Sequence, residues 1–141
     1  MYKSKAEIIA KIREHFSKPD SVMAWDSDGI CVYRGTSDEE SDGMLIRDPH
    51  SPVRCAFGVL IPDELYKPEM EGKTASDVCE NFPEVAALFP KEWTRTGGFL
   101  EECQRKHDDL FAYYPGHGAN PKQVFLDRLE KLQSSVEKAS F

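Results

Sequence analysis

Between Arg54 and Gly72 the chain passes from an unbroken apolar run, Cys55 to Ile61, straight into prolines, carboxylates and a tyrosine (Pro62, Asp63, Glu64, Tyr66, Pro68, Glu69 and Glu71). An apolar run of that length belongs inside a protein, and the polar groups attached to its end must then find partners or water. Any fold of this chain therefore has to set this junction at the edge of a core. Periodicity does not separate a buried strand from a short buried helix at this length. The four-residue spacing of Cys55 and Val59, with Pro62 able to open a further turn, favours helix. Ala56 and Gly58 are small, so another backbone can approach closely in either case.

The flanking sequence reads mostly as helices. Ser4 and Glu7 form a capping box, and Ile8, Ile9, Ile12 and Phe16 recur behind it at helical spacing, which predicts a helix from about Ser4 to Ser17. Val22 to Trp25 and Ile30 to Tyr33 are short β-prone runs around Asp28-Gly29, read as a hairpin. Residues 36 to 52 read as an acidic surface loop. Asp38, Glu40, Asp42 and Gly43 match part of a calcium loop, but Pro49 stands where a bidentate Glu is required. Met44 to Ile46 offers a further short strand in that loop.

Beyond Gly72, helices are expected at Ser76 to Glu80, Pro83 to Phe89 and Phe99 to Tyr113. A last helix is expected after Asn120 and Pro121, with Phe125, Leu129, Leu132 and Val136 as its seam. The fold class expected from this reading is α+β. It is a mostly helical single domain over residues 1 to 141, with a small β-hairpin packed on the helices.

Charge and cysteine usage bound the function. A net charge of −7 repels phosphate backbones, so direct nucleic-acid binding is disfavoured and a basic protein partner is favoured. No apolar run reaches the ~20 residues of a membrane helix, and no signal-peptide pattern opens the chain. A cytoplasmic protein is the expectation, with Cys31, Cys55, Cys79 and Cys103 as thiols. Their even spacing shares no flanking pattern and does not mark a repeat. No phosphate-cradling glycine loop occurs, and no cofactor is expected.

One pattern runs through these residues. Cys31-x-Tyr33-Arg34, the block from Arg54 to Gly72, and Gln104-x-x-His107-Asp108 resemble a family of short bacterial and phage proteins that has no assigned function. The resemblance spans roughly Cys31 to Asp108. It groups Cys31, Cys55, Asp63, Glu64, Tyr66, Glu71, His107 and Asp108 as one constellation, and it implies no activity.

Four kinds of chemistry fit that constellation. A thiol hydrolase or transferase would use Cys55 as nucleophile and His107 as base. Asp63 would orient the imidazole better than Asp108, because adjacent residues of a helix point about 100° apart. A metal site is suggested by Cys103 and His107, four apart, with His117 or Cys31 as further ligands, but no established zinc spacing is present and no metal is expected. The acids Asp63, Glu64, Glu69 and Glu71 could act as general acid and base, although among turns and lysines they read better as solvated caps. A binding module without turnover is the reading favoured here. It would use Cys31, Tyr33, Glu64, Tyr66, Glu71, Gln104 and Asp108, with Trp93, Tyr113 and Tyr114 as exposed anchors.

Overall fold

The computed structural model describes residues 2–19, 21, 32–41, 44–47, 50–51, 53–110 and 121–138. The expected α+β fold is not what forms: the structure is helical. Its helices are α1 (Lys5–Phe16), α2 (Ala56–Leu60), α3 (Ala75–Asn81), α4 (Pro83–Ala86), α5 (Phe99–Asp108) and α6 (Pro121–Lys138). Two 3-10 turns, Pro68–Met70 and Lys91–Trp93, stand between them.

The hairpin expected across Val22 to Tyr33 is not among the elements that the described residues form. Residues 22 to 31 lie outside the described residues, and Val32 to Arg34 carry no strand. The stretch expected as a loop instead pairs with itself. Thr36–Ser41 (β1) runs antiparallel to Met44–Arg47 (β2), in a two-stranded ribbon whose backbone contacts lie chiefly between its own strands. A two-stranded ribbon that contacts mainly itself is not a layer of the fold.

Local signals explain the helix ends. The Ser4 side chain accepts the Glu7 N–H at 3.1 Å, while Glu7 reaches one residue further back than a strict capping box and accepts the Lys3 N–H at 3.0 Å. Thr74 caps α3 by accepting the Asp77 N–H at 3.2 Å. The expected helix from Phe99 stops at Asp108, and residues 111 to 120, including Tyr113, Tyr114, His117 and Asn120, lie outside the described residues.

The core gathers around α2. Ile8, Ile9, Ile12 and Phe16 of α1 are fully buried, as are Leu129 and Phe125 of α6, and Phe16 meets Phe125 edge to face with centroids 5.0 Å apart. Every residue of α2 is buried. Full burial of a large apolar side chain is worth about 1.5–3 kcal/mol, which is why so short a helix can sit at the centre. Gly58 is the point of closest approach: a Cβ there would stand 2.7 Å from the Tyr33 carbonyl oxygen. The close contact with another backbone that the small residues foretold is made to the segment around Tyr33. Among the described residues no helix is long and apolar enough to cross a membrane.

Candidate functional site

A five-residue helix leaves most of its backbone N–H and C=O groups without intrahelical partners. Buried as it is, α2 must have them satisfied by other parts of the chain. The residues singled out in the sequence largely do that work.

At the carboxyl end the agent is Arg34, whose side chain is fully buried. Its Nη1 donates to the carbonyls of Gly58 at 2.6 Å and Tyr33 at 2.9 Å, and its Nη2 donates to Ile61 O at 2.5 Å. Tyr2 adds a third tie, its hydroxyl donating to Leu60 O at 3.1 Å. A buried guanidinium also needs countercharge. Asp63 supplies it, with Oδ1 3.2 Å from Arg34 Nη2 and 2.7 Å from Arg54 Nη2, while His50 Nδ1 lies 2.9 Å from Oδ2. Burial lowers the affinity of Arg34 for its proton, Arg54 lowers it further, and Asp63 opposes both. Partial burial pulls the Asp63 carboxyl up, but His50, Arg54 and Arg34 outweigh it and hold the group below its ordinary value.

Glu71 completes this end. Its two oxygens accept the N–H groups of Tyr33 at 3.1 Å and Arg34 at 3.0 Å, and Oε2 also accepts the Tyr66 hydroxyl at 2.6 Å. The Tyr66 ring faces the Arg34 guanidinium at 5.1 Å, a cation–π contact. The Tyr33 hydroxyl donates to the Lys73 carbonyl. Glu71 thus pins the Tyr33–Arg34 segment by its backbone, which aims the Arg34 side chain at α2.

At the amino end a different set operates. Gln104 of α5 accepts the Phe57 N–H at 2.7 Å through Oε1 and donates to Asp108 Oδ1 at 2.7 Å through Nε2. The same Asp108 oxygen lies 2.9 Å from His107 Nδ1. The imidazole is fully buried between Phe16 and Phe125, with ring centroids 5.8 and 5.5 Å away. Desolvation lowers the His107 pKa, against the opposing pull of Asp108, and favours the neutral ring. Adjacent positions on a helix were expected to keep Asp108 from orienting this ring. At the last turn of α5 the two side chains bend together, and Asp108 is the partner.

The structure therefore divides the expected constellation. Tyr33, Tyr66, Glu71 and Asp63 meet at Arg34, whereas Gln104, His107 and Asp108 meet at the far end of α2. Asp63, expected beside the imidazole, is engaged with Arg34, Arg54 and His50. Cys55 is the N-cap residue of α2 and has no exposed surface. Its N–H donates to Val32 O and its carbonyl accepts from Val59 N–H, at 2.9 and 3.1 Å. Cys31 lies outside the described residues, and Glu64 and Glu69 are exposed.

Cys103 is buried, and desolvation raises its thiol to about 12; Cys79 is raised to about 11 by the same cause. Such thiols stay protonated near neutral pH. Among the described residues no three His, Cys, Asp or Glu side chains converge as a metal site would require. Trp93, expected as an exposed anchor, is half-buried and packs edge to face on Phe99.

Arg34 and Arg54 are the residues that the choice of site missed, though both lie in the quoted pattern. In an acid-rich chain, an arginine beside an apolar run is the available counterion for the carboxylates that follow. That was the usable signal.

Two surface features adjoin the amino-end cluster. A cleft of about 450 Å³ is lined by Lys73, Thr74, Glu101, Gln104, Arg105 and Asp108, so the Gln104–Asp108 relay forms part of its wall. Glu101 braces it, accepting from Ser76 Oγ at 2.5 Å and Gly97 N at 2.9 Å. A second groove of about 460 Å³ runs between α5 and α6. Comparison with protein families, with curated proteins and with solved structures found no match to this chain.

Proposed function

We propose that the chain works by binding a protein partner and performs no turnover, in the bacterial or phage setting that the sequence resemblance implies. The observation that carries this reading is the occupation of the constellation. Arg34, Glu71 and Gln104 are committed to the backbone of α2 and its neighbours, Asp63 is engaged by Arg34, Arg54 and His50, and the Cys55 thiol has no exposed surface. A nucleophile must be reachable by its substrate, and a sealed thiol is not. A chain whose reactive groups are spent on holding its fold is left with its surface to work with. The excess of acids over the whole chain favours a partner with a basic face.

The test is alkylation of the native protein across pH, with the labelled cysteine located by mass spectrometry. The expected result is that Cys55, Cys79 and Cys103 label only after denaturation. Selective labelling of Cys55 below about pH 7, lost in a folded His107→Ala variant, would replace this reading with a cysteine hydrolase built on Cys55 and His107.

A further inference from the structure

One surface departs from the chain's overall sign. The groove between α5 and α6 gathers four cationic side chains, Arg105 and Lys106 from α5 and Arg128 and Lys131 from α6, against two acids, Glu102 and Asp109. Over the whole chain the order is reversed, 18 cations against 25 acids. The arrangement follows from helical spacing. Arg128 and Lys131 are three apart on α6, Glu102 and Lys106 are four apart on α5, and such pairs share a face. Lys106 is held 3.9 Å from Glu102, while Arg105 and Lys131 stand exposed on opposite walls.

We propose that this groove docks an acidic peptide segment of the protein partner. The exposed Arg105 suits a carboxylate, since a guanidinium can meet one in a paired, planar geometry, and the lysines add charge without fixing direction. The assignment rests on the binding reading above and names the chemistry of part of the partner. An acidic segment is disfavoured by the acid excess of the whole chain and favoured by the cation excess of this groove, so the groove sets the orientation in which a partner of mixed charge can land.

The test uses the full chain and a fluorescein-labelled glutamate-rich peptide, followed by anisotropy. The expected result is saturable binding, weakened about tenfold or more by Arg105→Glu with Lys131→Glu and less than about twofold by Lys3→Glu with Lys91→Glu. Both pairs change net charge equally and lie on exposed positions, so the folded state is preserved and checked by circular dichroism. Absence of saturable binding overturns the proposal. So does equal weakening by the two pairs, which would mean diffuse attraction. Retained binding of a DNA oligonucleotide or of inorganic phosphate, with none of the peptide, overturns it in favour of a phosphate site. Thiol alkylation reads the binding hypothesis and anisotropy reads the groove, so either can fail alone.

Discussion

At the amino end of α2 a neutral amide, Gln104, accepts one N–H. At the carboxyl end a cation, Arg34, donates to two helix-end carbonyls and Tyr2 takes a third. The charges suit the helix dipole, which favours a cation near the carbonyl end. They also carry different obligations. An amide needs only a further partner, and Gln104 passes its hydrogen bond to Asp108 and so to His107. A guanidinium brought out of water needs carboxylates, which is why Asp63 and Glu71 cluster in the stretch that follows α2. Within the block Asp63 is thus the countercharge of one buried arginine and Glu71 the scaffold that holds its backbone, and the later Gln-x-x-His-Asp pattern belongs to the other end.

Breaking the charged end should cost most. Arg34→Met keeps the apolar stem but removes the side-chain donor of the Tyr33, Gly58 and Ile61 carbonyls and one of the three partners of Asp63, and a loss of about 3–5 kcal/mol is expected in urea unfolding. The double variant with Asp63→Asn should cost less than the sum of the two single changes, because the Arg34–Asp63 contact can be lost only once. The neutral end should give less: Gln104→Leu leaves the buried Phe57 N–H unsatisfied, for a cost of about 1–3 kcal/mol in the same assay.

Acid sharpens the comparison further, since the two ends respond in separate windows. The folded pKa of His107 lies below its ordinary 6.5, so below that pH the unfolded chain binds the extra proton and stability falls as pH falls. The slope for one proton is at most about 1.4 kcal/mol per pH unit, and it should disappear in His107→Phe. Asp63 is also depressed, from 3.8, so its contribution is complete above that value and is lost only on further acidification. A stability-against-pH curve that begins to fall only near pH 4 would show that the imidazole does not contribute.

How much of this was legible depended on whether the partner was local. The start of α1 followed from Ser4, and helix at Cys55 to Ile61 followed from the spacing of Cys55 and Val59. Gly58 gave away a close backbone contact without saying with what. Arg34 was hidden for a definite reason: its acceptors are mostly backbone carbonyls, which every residue carries, so no residue type marks them. Asp63 was legible as a site residue but was assigned to the imidazole, because its distance in sequence from Arg34 conceals the pairing. Asp108 failed on geometry, since the rule for adjacent helical positions applies to Cβ directions and not to the reach of a bent side chain. The α+β expectation rested on β-prone runs that lie mostly outside the described residues, whereas strand pairing appeared in the polar stretch read as a loop.

The length of α2 has a consequence for the order of events in folding. Five residues are far too few to nucleate a helix in isolation. Its ties reach across 24 residues to Arg34, 47 to Gln104 and 58 to Tyr2, so large loops must close before either end is satisfied. The central helix is then a late product of assembly, and α1 and α6, with their own long amphipathic faces, lead it. Weakening Arg34 or Gln104 should accordingly quicken unfolding while leaving the refolding rate nearly unchanged.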